Sequence, residues 1–209
     1  MSVPPGSVVV PDWLKSPEGK EHLAAILRKN KRKVFGIQTT VVYWPAKQGE
    51  SGRAVIFRLQ FWDCGEAALR KFDHILPACR EKADAILFLF SFTDRSSFDD
   101  LPAQISRVVG DAGSLIRIVV GTKFDQFMHA DVTERDVAEF QRTWHLPVFR
   151  AQSAAGPRQV GRRTPDAGTG LWEVAPLLNG LAEHLWHQDQ VAAGLIPAPL
   201  PSPKETGPC

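Results

Sequence analysis

The sequence predicts an α/β fold, an open and mostly parallel sheet with helices on both faces. Three observations predict it. Ala85 to Phe92 and Leu115 to Val120 are continuous apolar runs, the pattern of strands covered on both sides by helices. Segments of helical periodicity alternate with these runs, as crossover connections of a parallel sheet require. Upstream, Ile37 to Trp44 and Ala54 to Trp62 are rich in β-branched and aromatic residues and close in sequence, which predicts an antiparallel hairpin.

The elements follow in order. The first twelve residues, rich in Pro, Gly and Val, read as a flexible lead-in. Ser16-Pro17 starts a helix, with Ser16 as N-cap and Pro17 in the first helical position. Leu23, Ile26 and Leu27 give it an apolar stripe, and it ends in the basic run Arg28 to Lys33. That run is read either as a solvated helix end complementing the macrodipole or as a contact for an anionic lipid or partner. Gln48 to Gly52 is a turn, and in the strand after it Val55, Phe57, Leu59 and Phe61 alternate with Arg58 and Gln60. Glu66 to Lys82 reads as helix. Ser97 to Gly110 reads as one helix, with Ser96 as its cap and Asp99 completing a capping box. Thr133 to Trp144 is a fourth helix, where Thr133 caps and Asp136 stands in capping-box position. Leu146 to Arg150 is a short strand. The last helix spans Trp172 to Gln190, with Val174, Leu178, Leu181, Ala182 and Leu185 on one face. Proline-rich residues beyond Gly194 read as a disordered tail. The expected organisation is an N-terminal extension over 1–36, an incomplete domain over 37–190 and a tail over 191–209.

Composition narrows the function classes. With 209 residues, 44% hydrophobic and 23% charged, the chain supports one globular domain with tails. A net charge of +2 gives no footprint for nucleic acid. Cys64, Cys79 and Cys209 lie far apart, lack metal-site spacing and are odd in number, so a reducing, cytoplasmic setting is expected. The run Val8 to Val10 stops at Pro11, so no signal peptide is read. The longest apolar run falls well short of the ~20 residues that span a bilayer.

The segments at the expected strand ends carry the chemistry, since ligands of open α/β sheets bind at the carboxyl ends of strands. Gly121-Thr122-Lys123-Phe124-Asp125 follows an apolar strand. Alone, it reads equally as an ordinary strand exit with a helix cap. It also resembles the guanine-recognition motif of Rab/Ras-like small GTPases. Phe61-Trp62-Asp63-Cys64-Gly65-Glu66 resembles the Trp-Asp-x-x-Gly-Gln-Glu segment of that family. Phe90 to Leu101 is similar to the strand exit and helix start found there, and Ser153-Ala154 falls where the family has its base-contacting Ser-Ala loop. The resemblance covers roughly Ile37 to Gln190.

The resemblance implies a P-loop small-GTPase-like sheet, GTP or GDP with Mg²⁺ as ligands, and a set of roles. Asp125 would accept the two N–H donors of a guanine edge, and the Lys123 stem would lie along the ring. Thr122, Ser153 and Ala154 would complete the guanine contacts. Asp63 would meet Mg²⁺ through water, and the Gly65 amide would sense the γ-phosphate. Two departures weaken the phosphate side. Only Cys64 separates Asp63 from Gly65, and Glu66 stands where the water-positioning Gln belongs. A carboxylate there repels phosphate charge, so hydrolysis is expected to be poor and no catalytic residue is assigned. Within the family, these motifs and the last helix are most similar to the Rem/Rab-like branch of the ciliogenesis and planar polarity effector complex. That likeness implies cilium assembly, vesicle traffic towards the basal body, and Fuzzy-type effector proteins as partners.

One part of the pattern is absent. The phosphate loop Gly-x-x-x-x-Gly-Lys-Ser/Thr cradles phosphates with backbone amides. The one Gly-Lys pair, Gly19-Lys20, is followed by Glu21, and Leu14 sits where the first Gly belongs. Lys33-Val34-Phe35-Gly36 runs straight into Ile37, and Val34 or Phe35 stands in place of the Mg²⁺-ligating Thr. A βα unit of at least ~30 residues is therefore missing. The strand of that unit is central in the family's sheet, so its loss is expected to leave ladder edges on two neighbours. Smaller signals add little. His184 and His187 share a helix face and read as solvent-facing polar residues, since a metal needs more ligands. Cys209 lacks the spacing of a prenylation motif. The proline-rich tail reads as filler, with an SH3-like ligand as the alternative.

Overall fold

The computed structural model describes residues 9–10, 12–21, 38–49, 51–63, 82–109, 115–152 and 169–197. The expected helix over Glu66 to Lys82, the stripe Leu23, Ile26 and Leu27, the basic run, all three cysteines and the end of the tail lie outside them, apart from Lys82, which sits in a turn.

Strands β1 (Gln38–Lys47) and β2 (Ala54–Asp63) form the antiparallel hairpin. β1 runs three residues beyond the expected Trp44, through Pro45, because the ladder continues to the pair Lys47 and Ala54. β2 alternates as predicted, with Leu59 buried and Arg58 and Gln60 exposed. Strands β3 (Ala85–Ser91), β4 (Ile116–Thr122) and β5 (Val148–Arg150) form a second, parallel sheet in the order β3-β4-β5. Among the described residues no strand joins β2 to β3. The sheet is thus divided between the two strands that the missing central strand would separate.

The helices follow local signals, with one correction. The expected single helix after β3 is two: α1 (Arg95–Asp99) and α2 (Leu101–Val109). Pro102 lacks the N–H that would bond to the Phe98 carbonyl, so the ladder is broken there. The cap also differs. Asp94, not Ser96, is the N-cap of α1, and its carboxylate accepts from the Ser96 and Ser97 amides. Asp99 completes no capping box and instead accepts from Arg95 at 2.9 Å. Helix α3 (Glu134–Trp144) has the predicted capping box: the Asp136 amide donates to Thr133 Oγ1, and the Thr133 amide donates to Asp136. Helix α4 (Thr169–Ala192) starts three residues before the predicted Trp172 and ends two after Gln190.

Two further expectations are corrected. The lead-in is not loose from Val9 onward. Val9 bridges Gln48, the Val10 amide donates to the Lys47 carbonyl, and Trp13 and Leu14 are buried. Burial of Val9, next to the buried Trp13 and Leu14 that follow the lead-in, outweighs the Pro and Gly content of its last residues. Coverage of β3 is incomplete: Ala85 and Leu87 pack on one face and Ile86, Phe88 and Phe90 on the other, but Leu89 is 56% exposed. The Ser16 cap does form: its Oγ accepts from the Gly19 amide at 3.1 Å, and residues 17–21 are helical.

Two apolar clusters flank the parallel sheet. On one side Ile118 and Val120 of β4 pack with Ala175, Leu178, Leu181 and Ala182 of α4, together with Trp44, Ala46 and Leu59 of the hairpin and Val9, Trp13 and Leu14. On the other, Phe88, Phe90 and Val119 pack with Phe98, Leu101, Ile105, Val137 and Phe140. Trp44 Nε1 donates to Asn179 Oδ1 at 2.9 Å, tying the hairpin to α4. No helix among the described residues is long and apolar enough to cross a membrane.

Candidate functional site

The site is built at the carboxyl end of β4. Gly121 is the last buried residue of the strand, and a Cβ there would stand 2.4 Å from the Phe92 ring and 2.6 Å from Phe90. Only glycine lets these two aromatic residues close under the strand exit. Thr122 then turns its hydroxyl inward, where Oγ1 donates to the Phe90 carbonyl at 2.9 Å. This locks the exit of β4 to the exit of β3.

Lys123 carries φ +57°, the left-handed region that residues other than glycine seldom occupy. The turn is closed by the Gln126 amide donating to the Lys123 carbonyl at 3.0 Å. Phe124–His129 forms a 3₁₀ helix that sequence reading did not anticipate. Left-handed backbone at an exposed lysine is the type of local strain that a surrounding scaffold must hold. The consequence is that Lys123 and Asp125, both exposed, stand on one tight turn.

The scaffold is visible in three contacts. The Phe124 amide donates to the Ala151 carbonyl at 3.2 Å, and the Ala151 amide donates to the Gly121 carbonyl at 2.7 Å. The Phe124 ring packs edge-on against Phe92, with centroids 5.1 Å apart. The Arg150 guanidinium sits over the other ring environment, 5.7 Å from the Phe124 centroid. Arg150 itself is held by Glu134 through two hydrogen bonds, one from Nε at 2.9 Å and a second from Nη2.

Charge at the site is arranged by hydrogen bonding. The Ser96 hydroxyl and the Ser97 amide hold the Asp94 carboxyl below its ordinary range, and the nearby Lys123 charge adds to this. Arg150 holds the Glu134 carboxyl down, against a smaller burial effect. The Thr133 hydroxyl and amide, then Arg95, do the same for Asp136. Arg95 reaches both Asp99 and Asp136, at 2.9 and 3.1 Å. The first turn of α3 therefore grips the exits of β3 and β5 with Asp136 and Glu134.

Thr122, Lys123 and Asp125 are thus brought together. Asp63 ends β2, exposed and paired with Gln38 in the hairpin register, on the other sheet. Gly65, Ser153 and Ala154 lie outside the described residues, although Ala151 and Gln152, just before Ser153, run beside the turn. Sequence reasoning missed Phe124, Arg150 and Glu134 as supports. An aromatic residue inside the turn motif was the available signal. His184 is also corrected: it is half-buried, its Nδ1 bonds to the Gly180 carbonyl at 2.7 Å, and its Nε2 is buried without a partner.

The profile of the Ras family matches residues 19–163. The chain belongs to the Ras family. Among its Ras-family relatives, it is 50% identical to the human protein named Ciliogenesis and planar polarity effector 2, over 96% of this chain and 98% of that protein. The zebrafish (Danio rerio) protein of the same name is 45% identical, over 94% of this chain and 93% of its own. The bovine (Bos taurus) Ras-related protein Rab-26 is 25% identical over 47% of this chain and 38% of its own.

The human comparison also implies an internal gap. It spans 252 positions, while 96% of a 209-residue chain is about 201 residues, so about 51 positions have no residue from this Ras-family chain. Both proteins are covered nearly end to end, so the shortfall is largely internal. Its size accommodates the missing βα unit.

The family suggests GTP or GDP with Mg²⁺ as ligands. The residues of the Thr122–Asp125 turn fit the base: a carboxylate and a lysine stem stand together on a braced turn. The phosphate side does not fit. Gly19-Lys20 lies within helical residues 17–21, and Gly19 packs so closely that a Cβ would sit 2.3 Å from the Trp13 carbonyl oxygen. That glycine lets the helical residues 17–21 pack against the Trp13 and Leu14 backbone, and no Gly-x-x-x-x-Gly-Lys-Ser/Thr loop is present in the sequence.

Proposed function

We propose that this Ras-family chain works by binding partner proteins of the cilium-assembly and planar-polarity machinery, with GTP binding impaired. The observation that carries the reading is the 50% identity, along nearly the whole of both chains, to a protein named Ciliogenesis and planar polarity effector 2. The absent phosphate loop supports the second half of the proposal. Phosphate and Mg²⁺ contacts carry most of the charge complementarity of nucleotide binding in such proteins, and a base-reading turn alone supplies little affinity. The partners are effector proteins of that machinery, including the Fuzzy type, and the setting is the cytoplasm near the basal body, in vesicle traffic and exocytosis towards the cilium. The basic run Arg28 to Lys33 supplies contact with an anionic membrane, each cation contributing ~1 kcal/mol near such a surface.

A second reading, a GTP-binding and GTP-hydrolysing Rab-like switch, is favoured by one observation: Thr122, Lys123 and Asp125 share one braced turn. A titration with fluorescent GTP and Mg²⁺ separates the two. The first reading expects no saturable binding in the micromolar range, and binding to a purified Fuzzy-type effector whether or not nucleotide is added. Micromolar GTP affinity, or effector binding that requires GTP, refutes it.

A further inference from the structure

We infer that Arg150 is a positioning residue for the base-recognition turn, holding Lys123 and Asp125 in place through Phe124. The inference rests on the guanine reading of Thr122 to Asp125 and goes beyond it by naming what keeps that turn in its strained shape.

The turn has an unusual backbone that its surroundings must hold. Lys123 is left-handed at φ +57°, and its neighbour Gln126 departs from helical geometry with φ −99° and ψ 30°. Lys123 and Asp125 are exposed, so their burial does not fix them. Phe124, between them, is the residue of the turn with a ring to be held. Its amide is bonded to Ala151 and its ring meets Phe92 on one side. Arg150 supplies a further contact, with its guanidinium 5.7 Å from the ring centroid.

Arg150 is suited to this by chemistry. A planar guanidinium engages a carboxylate with a two-pronged fork and an aromatic ring with its face. Glu134 occupies the fork through Nε and Nη2, so the arginine arrives at the ring already oriented. Glu134 is in turn fixed as the first residue of α3, behind the Thr133 cap. The chain of contacts therefore runs from the α3 cap through Glu134, Arg150 and Phe124 to the two residues expected to meet the base. A lysine at position 150 keeps the charge and loses both the fork and the flat face.

The test uses the full-length chain, isotopically labelled, with the variants Arg150→Ala, Arg150→Lys, Glu134→Gln and Asp125→Ala. Amide hydrogen exchange is read at Phe124 and Gln126 without ligand. Binding of guanosine monophosphate is compared with that of adenosine monophosphate by chemical-shift titration. Arg150→Ala is expected to speed exchange at those two amides roughly five- to tenfold, leaving Val119 in β4 unchanged. Glu134→Gln and Arg150→Lys are expected to give smaller changes in the same direction. The preference for the guanine nucleotide is expected to vanish in Asp125→Ala and to fall about fivefold in Arg150→Ala. Unchanged exchange at Phe124, or equal acceleration throughout β4, overturns the positioning role. If wild type prefers guanine and Arg150→Ala keeps the full preference, the inference fails while the guanine reading stands. A wild type without preference, lost turn protection notwithstanding, overturns the guanine reading and any recognition role for Arg150 with it.

Discussion

Replacing Trp44 with Phe tests what joins the hairpin to the rest of the molecule. Trp44 is 1% exposed and bonds through Nε1 to Asn179 Oδ1, across 135 positions of sequence. No strand links β2 to β3 among the described residues, so this bond and the apolar cluster around it carry a connection that sheet pairing would otherwise share. Phenylalanine removes the donor, a loss of about 1 kcal/mol for a typical hydrogen bond. It also removes part of the ring, leaving a void with a further cost of roughly 1–2 kcal/mol. The expected total is about 2–3 kcal/mol. For a chain of this size each kcal/mol lowers Tm by about 2–4 °C, so a fall of about 5–10 °C is expected by circular dichroism. A double-mutant cycle with Asn179→Ala should return a coupling of about 1 kcal/mol. A shift under about 1 °C, with no coupling, would show that the hairpin is held by something else.

Gly180→Ala should destabilise the protein although alanine is the better helix former by about 1 kcal/mol. A Cβ there would lie 2.2 Å from the Phe149 ring, which has to move within a packed cluster; overpacking of this kind costs about 1–3 kcal/mol. A raised Tm in the variant would mean that α4 does not approach β5 so closely. Acid should weaken the grip of α3. Glu134 and Asp136 have folded pKa values below their ordinary 4.5 and 3.8, Glu134 through Arg150 and Asp136 through the Thr133 hydroxyl first. Their stabilisation is complete above the unfolded values and is lost as pH falls through the folded ones. Melting temperature should therefore decline below about pH 4.5, and Asp136→Asn should flatten that decline; equal slopes in variant and wild type would contradict the sign.

The sequence reading succeeded where one local rule governed. The hairpin followed from alternation in Val55 to Phe61, and the α3 cap from Thr133 and Asp136. It failed where neighbouring side chains compete for one role or where distant partners decide. Asp94 displaced Ser96 as the cap because its carboxylate reaches two amides at once, while Arg95 drew Asp99 away. Val9 falls in a lead-in that read as flexible, yet it finds an apolar surface made from β1 and α4 residues far along the sequence, beside Trp13 and Leu14. In the site, the motif located Thr122, Lys123 and Asp125, and nothing in its spacing pointed to Arg150 or Glu134. Those two meet across 16 positions, through the parallel register that sets β5 beside β4.

The gap in the sheet has consequences that differ for the two fragments. A three-stranded parallel sheet with helices α2, α3 and α4 against it retains much of a doubly covered core, and Ile118, Val119 and Val137 are fully buried there. A two-stranded hairpin is at best marginal in water by itself. Its inward side chains, Trp44, Ala46 and Leu59, therefore need a partner surface, and Val9, Trp13 and Leu14 supply part of it alongside α4. The lead-in, which meets Lys47 and Gln48 near the turn, and the Trp44–Asn179 bond thus support the hairpin, while Asp63 pairs with Gln38 at its opposite end. The Thr122 to Asp125 turn lies on the other fragment, braced by β5 and α3. Loss of one central unit accordingly leaves the supports of that turn in place: the Phe124–Ala151 and Ala151–Gly121 bonds and the Glu134–Arg150 pair all lie within the second fragment.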